Sequence, residues 1–178
     1  VAGNETTSAS LTEGIWLLIE NPDQYQLLKD DPSPEMISRL VEEVLRISSP
    51  SSNMFRRTTR DVEMHGVTIP ENSILFARFA SANHDDTQFP EAATFNLMRD
   101  NLKDQVAFGK GVHHCLGAAL SRREMNIGFK VILERMENFR LAEGASEPEF
   151  SANALQLLVS RVILCSRLCA ITGSITLS

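Results

Sequence analysis

Apolar residues recur at helical spacing in three long stretches of the chain and alternate in a fourth. Residues 4–20 carry Leu11, Ile15 and Leu18 on one stripe, which predicts a helix. Asn21-Pro22 ends it and predicts a second start, with Asn21 as N-cap, Pro22 at the first position and Gln24 three residues on. Ser33-Pro34 repeats that signal. The helix after it has Ile37, Leu40, Val41 and Val44 on one face and runs to about Ser48. Val62 and Met64, then Val67 and Ile69, alternate on either side of His65-Gly66, the pattern of a hairpin. Pro70-Glu71-Asn72 is a second turn, followed by an apolar strand from about Ser73 to Phe79. Residues 83–107 show little periodicity and read as a long irregular stretch, which in a compact domain is functional or disordered. A Gly-rich loop, Phe108 to Cys115, leads into a long helix marked by Leu120, Ile127 and Val131 and ending near Met136. From Phe139 the pattern suggests short strands and loops. The fold class is α+β, mainly α with small β-sheets.

With 178 residues, 43% of them apolar and 22% charged, the chain has the profile of a globular domain with a real core. Its formal net charge of -6 argues against general attraction to nucleic acid or to an anionic membrane. No signal peptide or start-like pattern is visible. No apolar run is long enough to span a bilayer, and the apolar stretch near the C-terminus is interrupted by Arg161 and Arg167. Three cysteines, Cys115, Cys165 and Cys169, are too few and odd in number for a disulfide framework. A reducing, cytoplasmic setting is expected. Cys165 and Cys169, four apart, lack accompanying ligands and read as ordinary apolar residues.

The candidate chemistry lies in Phe108-Gly109-Lys110-Gly111-Val112-His113-His114-Cys115-Leu116-Gly117. A Gly-rich loop runs straight into a helix N-terminus, and Cys115 sits at the junction. Unpaired backbone N–H groups and the helix dipole favour an anionic sulfur there. Gly109 and Gly111 allow a tight turn and close approach to a flat partner. Gly117 leaves room beside the sulfur.

This run resembles the cysteine-loop signature of the cytochromes P-450, F-x-x-G-x-x-x-C-x-G, in its bacterial form with His before the ligand. The resemblance implies that Cys115 ligates the iron of haem b and pushes electron density toward bound oxygen. It implies that Phe108 packs against the ligand and that His113 hydrogen-bonds a haem propionate; His114 stands at a variable position. Three further segments match in order. Glu43-Val44-Leu45-Arg46 resembles the E-x-x-R pair of the K helix. Periodicity alone would put Arg46 with Arg39 and Glu42 opposite the apolar stripe, as a solvated i,i+3 pair; the resemblance makes it a buried structural pair. Ala2-Gly3-Asn4-Glu5-Thr6-Thr7 resembles the oxygen-binding groove of the I helix, where a glycine followed by backbone-bonding residues can open the helix locally. Glu5 and Thr6 would be the acid–alcohol pair that relays protons. Arg56 stands where the family often places a propionate-binding arginine, with Arg57 the competing choice.

The resemblance runs from Ala2 to about Leu141. It assigns residues 1–20 to the end of the I helix, 33–48 to the K helix and 55–79 to a β region. It assigns 83–107 to a meander, 108–117 to the cysteine loop and 117–136 to the L helix. Residues 159–178 are an atypical tail without the expected strand pattern. The family's domain is more than twice this length, so the chain is expected to be a fragment or truncated product lacking the N-terminal half. The family often has a second arginine in a phrase like D-R-F. Here the phrase is Ala93-Thr94-Phe95, and Arg99 is the candidate to replace it.

The implied activity is a haem-thiolate monooxygenase of bacterial type, acting on a small organic substrate. Electrons would come from NAD(P)H through ferredoxin reductase and ferredoxin. An acidic carrier would dock around Lys110, Arg122 and Arg123. Asn53 to Phe55 would supply a few late substrate contacts. Two rivals are a non-catalytic truncated remnant and a zinc module built on His113, His114 and Cys115. Adjacent ligands converge poorly on a tetrahedral centre, which weighs against the second.

Overall fold

The structure is a computed structural model, and it describes residues 2–136, 138–141 and 163–164. Three helices carry most of the core: α1 (Ala2–Glu20), α3 (Pro34–Ser48) and α5 (Ala118–Arg135) pack on one another. The short α2 (Pro22–Asp30) packs against α1 and buries Leu28. On α3 the stripe of Ile37, Leu40, Val41 and Val44 is buried, joined by Leu45. It meets Leu18 of α1 and Met125 and Phe129 of α5 in one cluster.

Close approach of the helices depends on two glycines. A Cβ on Gly14 of α1 would lie 2.3 Å from Phe129 Cζ and 3.0 Å from Val44 Cγ2. One on Gly128 of α5 would lie 3.0 Å from Leu11 Cδ2. Leu11 and Ile15 therefore pack against the core rather than facing solvent. The residues that mark α5 are not the ones it buries. Leu120, Ile127 and Val131 mark the helix but are 62%, 53% and 37% exposed. The buried stripe is Ala118, Met125 and Phe129.

The two N-terminal start signals differ in mechanism. Ser33 Oγ accepts from Met36 N–H at 3.2 Å, a true cap. Asn21 makes no cap bond to α2; its Nδ2 donates to Leu17 O and closes the end of α1 instead. Gln24 is drawn away too, because its Oε1 accepts from Leu97 N–H.

The β region is a nested pair of hairpins. The inner one joins β2 (Val62–Met64) to β3 (Val67–Ile69), with Val62 opposite Ile69 and Met64 opposite Val67. His65 and Gly66 both have positive φ, as a type I′ turn requires. The outer one pairs β1 (Asn53–Arg57) with β4 (Ile74–Arg78), with Phe55 opposite Phe76. A short α4 (Phe79–Asn83) follows. Residues 84–107 are turns with one 3-10 turn at Leu102–Asp104, yet Phe89, Phe95, Leu97 and Leu102 are buried. The Thr87 hydroxyl and backbone N–H both donate to Asp85 and hold its carboxyl below its ordinary range.

β5 (Arg140–Leu141) pairs antiparallel with β6 (Ile163–Leu164). This short pair lies in the stretch from Phe139 that reads as short strands and loops. Arg161, Cys165, Arg167 and Cys169 lie outside the described residues.

Candidate functional site

The cysteine loop folds on its own backbone. Gly109 and Gly111 sit at φ +70° and +77°, in the left-handed region that a β-carbon disfavours. Gly109 N–H donates to Val106 O at 2.8 Å, and a 3-10 turn over Gly111–His113 brings His114 N–H to Gly111 O. Cys115 N–H then closes the loop on Phe108 O at 2.9 Å, and its own carbonyl accepts from Ala118 N–H at the start of α5. The Cys115 side chain is left exposed.

The sulfur opens on a cavity of about 410 Å³. Thr6 and Ser10, one turn apart on α1, form one wall, and Met54 and Arg56 of β1 another. Phe108, Gly109, His113 and Cys115 come from the loop, with Phe79, Leu45 and Ser121 behind them. The structure thus brings Thr6, Arg56, Phe108, Gly109, His113 and Cys115 to one cavity. Glu5 does not line it and is exposed. Gly111 does not line it either. Gly117 sits beside the sulfur, but a Cβ there would rest 3.9 Å from Cys115 Sγ, an ordinary contact, so steric room is not its reason. Of the two candidate arginines, Arg56 reaches the cavity and Arg57 does not.

The helical opening expected after Gly3 is absent: α1 is continuous from Ala2 to Glu20. Hydroxyls tap its carbonyls without breaking it, Ser8 Oγ donating to Asn4 O and Ser10 Oγ to Thr6 O. Thr7 Oγ1 and Ser121 Oγ lie 3.1 Å apart, linking α1 to α5 beside the cavity. Ser10 and Ser121 carry no spacing signal toward each other in the sequence, which is why they were missed.

Behind the loop lies a buried ionic node. Glu43 and Arg46 are both 0% exposed and bond in a fork, Nε to Oε2 at 2.7 Å and Nη2 to Oε1 at 2.9 Å. Arg99 Nε reaches Glu43 Oε1 at 3.2 Å. Arg46 also donates to the carbonyls of Asn83, Ala92 and Thr94. Arg99 donates to those of Pro90, Glu91 and Thr94. The pair is therefore no solvated face. Each guanidinium finds enough acceptors to offset its lost hydration. Thr94 contributes its carbonyl, and Arg99 supplies the second guanidinium.

His113, His114 and Cys115 do not make a zinc centre. Among the described residues no group of three or more His, Cys, Asp or Glu could hold a metal ion. No helix among them is long and apolar enough to cross a membrane.

A family model described as Cytochrome P450 matches residues 1–165. The chain belongs to the cytochrome P450 family. A P450 of Priestia megaterium, CYP107DY1, is 34% identical over 92% of this chain and 39% of its own length. The steroid C26-monooxygenase of Mycobacterium tuberculosis is 36% identical over 92% of this chain and 44% of its own. Among solved structures, CYP109Q5 from Chondromyces apiculatus superposes with a TM-score of 0.84 at 32% identity, over 94% of this chain and 42% of that one. The chain thus spans less than half the length of these P450 relatives. P450 membership implies a haem cofactor, and the cavity fits one. It offers a soft sulfur ligand, an apolar wall of Leu45, Met54, Phe79 and Phe108, and Arg56 and His113 for an anionic edge.

Proposed function

We propose that this chain is the haem-ligating part of a monooxygenase that inserts one atom of dioxygen into a small organic substrate. The observation that carries the reading is the meeting of Cys115 and Thr6 on one cavity, one from the loop and one from α1. When bound, haem with a thiolate ligand supplies the activation of dioxygen. Cys115 holds the iron through Sγ. The closure of Cys115 N–H on Phe108 O keeps the loop wrapped around that sulfur. Gly109 lets the backbone turn without a side chain in the cavity, and Gly111 does the same for the turn that follows. Arg56 and His113 bind the anionic edge of the cofactor. Phe108 and Phe79 give the cavity an apolar wall beside the sulfur.

Thr6 holds a proton at Oγ1 within the cavity and passes it inward, and Glu5, at the solvent side of α1, resupplies it. Of the late substrate contacts expected at Asn53 to Phe55, Met54 is the one on the cavity wall, and it contacts the substrate. Electrons come from NAD(P)H through a ferredoxin reductase and a ferredoxin, in the cytoplasm. An acidic carrier docks on Lys110 and Arg123, both exposed beside the loop.

The test is Cys115→Ser in the haem-loaded protein. The unaltered protein should show the thiolate-type absorption of the ferrous carbon monoxide complex, and the variant should lose it. An unchanged spectrum in the variant rejects Cys115 as ligand.

A further inference from the structure

Arg122 lies on the basic face beside the cysteine loop, but its guanidinium is already engaged. Its Nε donates to Glu42 Oε1 at 2.6 Å and its Nη2 to Glu42 Oε2 at 3.2 Å, so α5 is forked onto α3. The same guanidinium lies over the ring of Phe108, with Cζ 4.6 Å from the centroid. A fork to a carboxylate fixes the plane of a guanidinium, and a fixed plane over an aromatic face holds the ring beneath it. Glu42 also acts on the backbone of that ring. Its Oε2 accepts from Gln105 Nε2 at 2.9 Å, and Gln105 Oε1 accepts from Ala107 N–H at 2.7 Å, one residue before Phe108. On another side of the ring, His114 stands edge-on with centroids 6.3 Å apart, its Nδ1 3.0 Å from Gly109 O. Phe108 in turn accepts the Cys115 N–H on its carbonyl.

We infer that Arg122 is a positioning residue for Cys115, acting through Phe108 under the control of Glu42, and is not a docking charge for an electron carrier. Glu42 is the anchor: it sets the guanidinium that covers the Phe108 ring and the amide that fixes the preceding backbone. The sulfur inherits this order through the bond from Cys115 N–H to Phe108 O. Lysine keeps the charge of arginine but has neither the fork nor the plane. Arg122→Lys therefore separates the two roles.

The experiment follows amide hydrogen exchange at Cys115 in the whole chain, with the Phe129 amide as internal reference for global opening. This arm needs no haem. Arg122→Lys and Glu42→Gln should each speed exchange at Cys115 about tenfold, the size of a partly desolvated cation–π contact with its anchoring fork. Phe129 should stay unchanged. In a Phe108→Leu background, Arg122→Lys should add less than about twofold, because the ring through which it acts is gone. Arg123→Gln removes a neighbouring charge and should leave Cys115 exchange as it was. Unchanged exchange in Arg122→Lys, full additivity with Phe108→Leu, or a Cys115 amide without protection in the unaltered chain overturns the inference.

A second arm rests on the proposed haem ligation. In the loaded protein, Arg122→Lys should lower the fraction of the carbon monoxide complex with thiolate-type absorption, whereas Arg123→Gln should not. If Cys115→Ser keeps that absorption while the exchange results hold, the ligand assignment falls and the positioning role stands.

Discussion

Replacing Gly14 by alanine should destabilise the chain although alanine is the better helix former. In a helix interior the exchange gains about 0.8–1.0 kcal/mol of propensity. Against this, the new Cβ would fall 2.3 Å from Phe129 Cζ, 2.8 Å from Phe129 Cε1 and 3.0 Å from Val44 Cγ2. Phe129 and Val44 are each 0% exposed, so neither can move into solvent. Overpacking a close-packed core costs about 1–3 kcal/mol. Three short contacts to two buried side chains place this site near the upper end. The net loss is about 1–2 kcal/mol, which for a chain of this length lowers Tm by roughly 2–8 °C. Urea unfolding followed by far-UV circular dichroism and Trp16 fluorescence reads the change. Phe129→Leu removes the ring atoms that meet the new methyl. In that background Gly14→Ala should be neutral or stabilising, a coupling of about 1–2 kcal/mol. A higher melting point for Gly14→Ala in the unaltered chain, or additive effects with Phe129→Leu, would refute the packing account.

Glu43→Gln keeps the shape of the buried node but leaves two guanidiniums without their carboxylate; it should cost about 3–5 kcal/mol in urea unfolding. A loss below about 1 kcal/mol would show that the backbone carbonyls alone satisfy Arg46 and Arg99. Thr6→Ala, in a haem-loaded and reducible form, should divert reducing equivalents to peroxide and leave haem content nearly unchanged; unchanged product per NAD(P)H consumed would remove Thr6 from the relay. The chain on its own should self-associate through exposed apolar groups such as Phe55, Ile74 and Phe76, which are 64%, 68% and 44% exposed. Ile74→Lys with Phe76→Thr should raise the monomer fraction in sedimentation; a fully monomeric unaltered chain would contradict this.

Elements with a strong period were legible before any coordinates. The stripe on α3, the Ser33-Pro34 start and the His65-Gly66 hairpin each follow from local chemistry that tertiary packing did not override. The cysteine loop was legible because glycines with positive φ and a helix start are local requirements. What depended on distant partners was not. Arg46 reads as a surface residue on a helical wheel; its burial rests on Glu43 together with carbonyls 37 to 48 residues away, which the wheel does not show. That Phe129 of α5 lies against Gly14 and joins Val44 in the core depends on residues more than eighty positions away, and nothing within α5 announces that. β1 is a short strand of mixed residues whose partner lies beyond another hairpin. Asn21 and Gln24 carry a capping pattern but spend their side chains elsewhere.

The meander is read through its main chain. Arg46 and Arg99 bond the carbonyls of Asn83, Pro90, Glu91, Ala92 and Thr94, and Arg39 bonds those of Leu97 and Arg99. A carbonyl is the same in every residue, so this recognition ignores which side chains hang from positions 90, 91 and 94. Positions 90 and 94 are free to drift by substitution, as Thr94 illustrates, while position 91, at φ +53°, is held to residues that tolerate the left-handed region. None of the three is free to drift by insertion or deletion. One residue more or fewer between Asn83 and Leu97 would put the carbonyls on its two sides out of register with one another. Natural variation in this segment should therefore change letters and conserve length.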